Sequence, residues 1–155
     1  LIIAFKFQGR RTIGRLLAGR IARVIKGYSG TKPELIIPVP LFRERLRQRG
    51  FNQAGDLGRE LAELMEIQMV EGVLERMKKT DFQTRLDSEG RWRNVEGVFM
   101  VTRPQEVKDK RILLVDDLYT TGATVVNCAK ALMEAGAAEV YVATAAMAPH
   151  PGKEQ

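Results

Sequence analysis

The chain has 155 residues, of which 45% are hydrophobic and 28% charged. This length is typical of one domain with its own core, and the apolar content excludes an intrinsically disordered chain. A helix needs about 20 consecutive apolar residues to span a bilayer, and no stretch of the sequence approaches that length. The sequence begins at Leu1 and shows no signal-peptide pattern. We therefore expect a globular protein without a membrane span.

Cysteine and histidine are almost absent, since Cys128 and His150 are the only ones. This inventory excludes an intrachain disulfide, a Cys/His zinc site and a Ser-His-Asp triad with a well-placed histidine. Because Val125, Ala129 and Leu132 flank Cys128 at helical spacing, we interpret it as a packed core thiol. A free thiol indicates a reducing, cytoplasmic location.

The formal net charge of +6 is unevenly distributed. Residues 1–49 carry twelve Lys or Arg against two acids, net +10, and the remainder thirteen against seventeen, net −4. Part of this charge fits the solvated face of a helix that ends at Gly27. A polyanionic partner, either a phosphorylated substrate or single-stranded nucleic acid, is the alternative. The predicted apolar stripe of the helix is Ile13, Leu16, Leu17, Ile21, Val24 and Ile25, with Arg15, Arg20 and Arg23 on its solvated face.

Strands and helices alternate along the rest of the chain. The predicted elements are a strand Leu35–Val39, a helix Gln53–Met65 capped by Asn52, strands Val70–Leu74, Val98–Val101 and Ile112–Val115, a helix over 122–135 closed by Gly136, and a strand Val140–Thr144. This order predicts the α/β class, with a parallel central sheet flanked by helices. The polar stretch from Glu75 to Glu96 is long enough to indicate a functional lid or a mobile segment.

The most informative segment is 112–124. The aliphatic run Ile112–Val115 is typical of a strand buried on both faces, and Asp116 and Asp117 follow at its carboxyl end, where open α/β sheets bind ligands. Carboxylates there accept hydrogen bonds from vicinal hydroxyls and attract a metal ion. Residues 120–124 then offer hydroxyls and backbone N–H groups at the positive end of a helix, which favours a phosphate. The segment therefore suits a phosphorylated sugar.

This segment resembles the 5-phosphoribosyl-1-pyrophosphate (PRPP) motif of type I phosphoribosyltransferases. The resemblance implies that Asp116 and Asp117 contact the ribose hydroxyls and a Mg²⁺ ion. It also implies a loop that wraps the 5-phosphate, formed by Thr120, Thr121, Gly122, Ala123 and Thr124. Relatives that act on 6-oxopurines can use an Asp near the middle of this loop as a base, but this chain has Thr120 there. A general base within the motif is therefore missing.

A narrower resemblance, to the competence-associated ComF proteins of the same superfamily, covers nearly the whole chain. It rests on Lys6-Phe7, Pro38-Val39-Pro40-Leu41, Arg43, Arg47, the run Arg49-Gly50-Phe51-Asn52-Gln53-Ala54, and the spaced set Arg76, Thr80, Gln83, Leu86, Arg91 and Asn94. ComF proteins often carry an N-terminal cysteine-rich segment. The resemblance therefore implies a phosphoribosyltransferase-like domain over 1–148 and a polar tail over 149–155. It also implies a cysteine-rich segment that this sequence does not include; the alternative is a protein that never had such a segment.

The resemblance also implies roles for basic residues. Pyrophosphate would meet the loop after the first core strand, at Leu41, Phe42 and Arg43, with Arg47 and Arg49 as further basic candidates. A flexible catalytic loop would supply Arg76, Lys78 and Lys79 to the leaving group. For each of these cations, a solvated surface position is the alternative.

The implied reaction is displacement of pyrophosphate from ribose carbon-1 by a nitrogen nucleophile, with Mg²⁺ bridging ribose and pyrophosphate oxygens. Homodimers are common in the superfamily. The acceptor is left open, because no segment that would recognise it can be identified. The alternative is a non-catalytic protein that keeps the PRPP-binding fold and acts in DNA uptake through competence proteins or single-stranded DNA.

Overall fold

The computed structural model describes residues 11–28, 30, 32–41, 47, 50–77 and 98–147. We number the helices and strands in chain order. They are α1 (Arg11–Gly27), β1 (Leu35–Pro38), α2 (Gln53–Met65), β2 (Gln68–Met69), β3 (Leu74–Arg76), β4 (Phe99–Val101), a 3₁₀ turn (Pro104–Glu106), β5 (Arg111–Tyr119), α3 (Ala123–Glu134) and β6 (Glu139–Met147).

A four-stranded parallel sheet in the order β2-β1-β5-β6 forms the centre of the described chain. The strands β3 and β4 form a separate antiparallel pair. Because parallel neighbours need a crossover, a helix or a longer segment follows each strand of the main sheet. The α/β architecture predicted from the sequence is confirmed.

The two faces of the sheet bury alternate residues of the same strands. Ile36, Leu113 and Val115 pack with α1 and α2 on one face. Ile37 and Leu114 pack with α3 and the β3–β4 pair on the other. The strand β5 is therefore covered on both sides, which explains its unbroken aliphatic run.

Most predicted elements are present, with two corrections. The predicted strand Val70–Leu74 is wrong, because the chain forms β2 earlier, bends at 72 and 73, and starts β3 at Leu74. The predicted stripe of α1 is wrong in part, since Leu16 and Val24 are 61% and 60% exposed.

The buried face of α1 includes two alanines at its centre, and larger aliphatic side chains pack beside them. Ala18 and Ala22 are buried in the core shared with α2, together with Ile25. Arg15, Arg20 and Arg23 are exposed, as predicted. Within the described ranges, no helix combines the length and the apolar character needed to cross a membrane.

The start of α3 depends on one glycine. Gly122 is buried and has φ +79°, a conformation that side chains other than glycine adopt at a cost. The Tyr119 ring packs against it, so that a Cβ added at position 122 would lie 2.7 Å from Cζ and 3.0 Å from Cε2 of that ring. Backbone conformation and packing therefore both require glycine here.

We expect Gly122→Ala to lower the free energy of unfolding by about 2–4 kcal/mol. Roughly 1–2 kcal/mol comes from the left-handed backbone, and about 1–3 kcal/mol comes from crowding against Tyr119. Urea unfolding followed by circular dichroism measures this change.

Gly72→Ala is the matched control, because Gly72 has φ +71° but nothing lies within 4 Å of its added Cβ. This variant should lose only the backbone part. Tyr119→Ala combined with Gly122→Ala should recover most of the crowding part. Equal losses for the two glycine variants would show that Tyr119 does not restrict position 122.

Candidate functional site

Asp116 and Asp117, which we call the acidic pair, lie in β5 just beyond the point where β1 stops pairing with it. The strand β1 pairs with β5 only as far as Pro38 opposite Val115, and Val39 N donates a last hydrogen bond to Val115 O at 2.8 Å. On the other side, β6 continues alongside β5, with Asp116 opposite Thr144. Among the described residues, no strand continues beside β5 on the β1 side at Asp116 and Asp117, and we call this end of β1 the gap.

Asp116 and Asp117 belong to the strand itself, which continues to Tyr119. The prediction that they follow its end is corrected, since pairing with β6 extends the strand. Both residues are half-buried, and Asp117 N donates to Asp116 Oδ1 at 2.8 Å. This hydrogen bond orients one carboxylate oxygen of Asp116 along the backbone.

Arg76 and Asp116 lie on the same side of the sheet as Cys128, and the charges of both side chains affect the pKa of its thiol. The thiol is fully buried in α3, and burial is the main cause that raises its pKa. The negative charge of Asp116 raises the pKa of Cys128 further, and the positive charge of Arg76 lowers it. The prediction of a packed core thiol is confirmed, and the two functional candidates have opposite charges around it.

Arg76 belongs to β3 and not to a flexible loop, which corrects the sequence-based prediction for Glu75 and Arg76, while residues 78–96 of the predicted lid lie outside the described residues. Arg76 lies opposite Phe99 in the register, and its guanidinium carbon is 5.5 Å from the centroid of that ring. A cation over an aromatic face is attracted to it and loses some rotamer freedom. Phe99 thus holds the guanidinium near the α3 side of the sheet.

The predicted phosphate loop connects β5 with α3. Thr120 and Thr121 are exposed, and Thr121 Oγ1 accepts from Ala123 N at 3.4 Å. Gly122 O accepts from Val126 N at 2.9 Å, which starts the regular helix. The first N–H groups of a helix lack partners within it and carry positive partial charge. The loop therefore presents hydroxyls and backbone donors together, a few residues from Asp116.

The turn after β1 is tied to the start of α2. The Asn52 side chain caps α2 by accepting from Ala54 N at 3.2 Å, as predicted, and its Nδ2 donates to Val39 O at 3.2 Å. Leu41 is half-buried in this turn. One side chain therefore fixes the chain that leads to the predicted pyrophosphate loop.

A cavity of about 520 Å³ lies beside this turn. Leu41 and Arg76, both predicted site residues, line it together with Asn52. Its rim carries an ion-pair cluster that sequence reasoning missed, with Arg59 2.8 Å from Asp56 and 3.4 Å from Glu71. The i,i+3 spacing of Asp56 and Arg59 in the predicted helix was a local signal for the first pair, whereas Glu71 follows α2 and reaches Arg59 only in the folded chain.

Tyr119 is the other residue that the sequence did not single out. It lines a small hollow at the loop, together with Asp116, Thr124 and Gly122. Tyr119 directly precedes the predicted phosphate loop, and this position could have indicated from the sequence that it belongs to the site. Of the remaining predicted residues, Arg47 is exposed, and Phe42, Arg43, Arg49, Lys78 and Lys79 lie outside the described residues.

Asp116 and Asp117 fit a magnesium ion that takes its remaining ligands from water and from substrate phosphates. Two half-buried carboxylates supply hard oxygen donors. Among the described residues, no group of three or more His, Cys, Asp or Glu side chains is placed to hold a metal ion. A magnesium ion commonly binds one or two carboxylates, waters and substrate phosphates, and this arrangement is compatible with that mode.

Comparison with known sequences gives three informative relatives. Competence protein F of Haemophilus influenzae is 35% identical over 147 residues, covering 92% of this chain and 64% of the relative. DNA utilization protein YhgH of Escherichia coli K12 is 33% identical, covering 92% and 63%. Competence protein ComFC of Bacillus subtilis is 31% identical, covering 86% and 52%. The chain thus spans between 52% and 64% of these three relatives.

Solved structures share the fold at low sequence identity. Glutamine PRPP amidotransferase from B. subtilis has a TM-score of 0.61 and 20% identity, covering 87% of this chain and 26% of that one. Purine phosphoribosyltransferase from Pyrococcus horikoshii has a TM-score of 0.52 and 22% identity, covering 88% and 73%. These similarities confirm the type I phosphoribosyltransferase fold.

The phosphoribosyl transferase domain matches residues 14–155. This match includes the β1 turn, the acidic pair and the loop before α3. The curated relatives confirm the resemblance to the ComF proteins. The chain belongs to the phosphoribosyl transferase domain family.

Proposed function

We propose that the chain binds PRPP and transfers its phosphoribosyl group to a nitrogen acceptor. The observation that carries this proposal is the gap at the end of β1, bordered by Asp116 and Asp117 and followed by the loop that opens α3. Ribose hydroxyls and a 5-phosphate are a few atoms apart in PRPP. Acceptors for the hydroxyls, at Asp116 and Asp117, and donors for the phosphate, at residues 120–124, follow one another in the same segment.

In the proposed reaction, a nitrogen lone pair forms a bond to ribose carbon-1. The bond from that carbon to the pyrophosphate oxygen breaks, its electron pair leaves with pyrophosphate, and the nitrogen loses a proton to solvent. Magnesium, when bound, would neutralise charge on the pyrophosphate oxygens. No residue of the loop is a general base, since Thr120 occupies the position where some relatives have Asp.

The protein's own contribution is orientation and electrostatics. Asp116 and Asp117 accept hydrogen bonds from the ribose hydroxyls, and residues 120–124 donate to the 5-phosphate. Arg76 stabilises the charge that develops on pyrophosphate, with Lys78 and Lys79 from the adjoining segment. Leu41, Phe42 and Arg43 surround the pyrophosphate, and Arg47 and Arg49 add positive charge.

We expect Asp116→Asn combined with Asp117→Asn to weaken PRPP binding by about tenfold to a hundredfold, because asparagine still accepts a hydrogen bond and each bond to a charged group contributes only about 1 kcal/mol more than a neutral one. Volume is conserved, so folding should survive. Calorimetric titration with PRPP, with and without magnesium, measures the affinity, and the double variant should lose the magnesium dependence.

Asp109→Asn removes a carboxylate from an exposed turn and serves as the control. It should bind PRPP like the parent chain, since asparagine also tolerates the positive φ of 58° at this position. Equal affinity of the parent chain and the double variant would contradict the role of the acidic pair. Absence of PRPP binding by the folded parent chain would contradict the proposed function.

A second candidate is a role in DNA uptake without catalysis, through protein or single-stranded DNA partners. Two relatives are named competence proteins, and a third is named a DNA utilization protein. The net charge of +10 over residues 1–49 supports a polyanionic partner. Arg47, which lies in this part of the chain, is exposed.

If arginines 43, 47 and 49 contact DNA phosphates, affinity for a single-stranded oligonucleotide should fall steeply with salt. Replacing all three by glutamine should reduce the slope of log affinity against log salt by about 2, since each phosphate contact contributes about 0.7. Fluorescence anisotropy measures both quantities. Lack of binding at low salt would remove single-stranded DNA as the partner.

A further inference from the structure

The outward side of α1 carries an unusual combination of side chains. Leu16 and Val24 are 61% and 60% exposed, and Arg15, Arg20 and Arg23 are exposed around them. We call these five residues the outer face of α1. Tyr28 follows the helix and is 68% exposed. Two large aliphatic side chains therefore remain in water beside three cations.

The positive charge of this face is not neutralised locally. Helix α1 contains five Lys or Arg and no acid, and the first acid of the whole chain is Glu34. Within the part of the chain that the structure describes, Arg15, Arg20 and Arg23 form no ion pair with a carboxylate. These arginines are consequently available to an external anion.

Helix α1 holds this face rigidly. Its opposite side is buried through Ala18, Ala22 and Ile25. Lys26 Nζ donates to Leu64 O in the last turn of α2, at 3.4 Å. Leu16 and Val24 are eight residues apart, which corresponds to about 12 Å along a helix. The outer face thus presents its apolar and charged groups on one preformed surface.

We propose that the outer face of α1 binds a membrane surface that contains anionic lipids. Arginine guanidinium groups pair with lipid phosphates, and their aliphatic stems extend along apolar surface. Leu16 and Val24 enter the boundary between head groups and acyl chains, as apolar side chains of interfacial helices do. Tyr28 suits the head-group level, where tyrosine is enriched. The proposal is independent of PRPP binding.

The exposed aliphatic residues favour a lipid surface over a nucleic acid. A DNA backbone would pair with the arginines, but it offers no apolar phase in which Leu16 and Val24 leave water. Base stacking needs aromatic side chains, and Tyr28 is the only aromatic residue between 11 and 28. Charge attracts both partners, and the aliphatic pair distinguishes them.

The test measures binding of the full chain to vesicles by flotation. The vesicles contain phosphatidylcholine alone, or phosphatidylcholine and phosphatidylglycerol in equal parts. We expect binding only to the anionic vesicles. Arg20→Gln with Arg23→Gln should weaken it about 25-fold, because each basic residue near such a surface contributes about fivefold. Leu16→Ser with Val24→Ser should weaken it about tenfold or more.

Matched controls exist elsewhere on the surface. Val126→Ser with Met133→Ser changes two side chains of α3 that are 50% and 49% exposed, and Lys108→Gln with Lys110→Gln removes two exposed cations. Both double variants should bind the vesicles like the parent chain. All changed side chains are exposed, so thermal unfolding and PRPP titration should be unaltered in every variant.

Three results would overturn the proposal. The first is no binding of the folded parent chain to anionic vesicles at low salt. The second is unchanged binding of the Leu16 and Val24 variant, which would identify the face as a general polyanion surface. The third is tight binding of a single-stranded oligonucleotide that depends on Arg20 and Arg23 while vesicles do not bind, which would identify a nucleic-acid surface.

Discussion

The candidate site depends on the unequal lengths of β1 and β5. Four residues of β1 pair with Ile112–Val115, and the chain then leaves the sheet through Pro38, Val39 and Pro40. Val39 N still donates to Val115 O, whereas Pro38 and Pro40 fall on the side of the strand that faces β2, where Ile36 O accepts from Val70 N. Strand β5 continues because β6 still pairs with it as far as Met147. Among the described residues, β5 therefore has a neighbouring strand only on the β6 side where it carries the acidic pair.

Charge and packing at this gap are coupled through the α3 face of the sheet. Asp116 and Arg76 both influence the buried thiol of Cys128, so the β3–β4 pair brings a cation toward the acidic pair. Phe99 restrains that cation. Gly122 lets the chain turn into α3 directly above the same core, against the Tyr119 ring. The groups proposed to meet ribose, phosphate and pyrophosphate are thus supported by one set of buried side chains.

The sequence predicted those parts of the fold that depend only on residues close together in the chain. The aliphatic run of β5 and the Asn52 cap needed no knowledge of distant residues. The end of β5 was misplaced because pairing with β6 determines it, and the Asn52 contact to Val39 joins residues 13 positions apart. Helix α1 was misread because its close approach to α2 buries Ala18 and Ala22 instead of the larger Leu16 and Val24. The contact of Glu71 with Arg59 could not be predicted either, since it joins residues 12 positions apart in the folded chain, whereas the Asp56–Arg59 pair is local.

The outer face of α1 and the acidic pair share no residue, and the carboxyl end of α1 lies at the other edge of the sheet from the acidic pair. In a parallel sheet all carboxyl ends share one edge, and Asp116 and Asp117 lie toward that edge. The end of α1 leads instead to the start of β1, and Gly30 O accepts from the Tyr141 hydroxyl near the start of β6. Tyr28 is therefore closer to the amino edge, away from the acidic pair. Since the two proposed sites share no residue, contact of the outer face of α1 with an anionic surface would not by itself displace a ligand proposed to bind at Asp116 and Asp117.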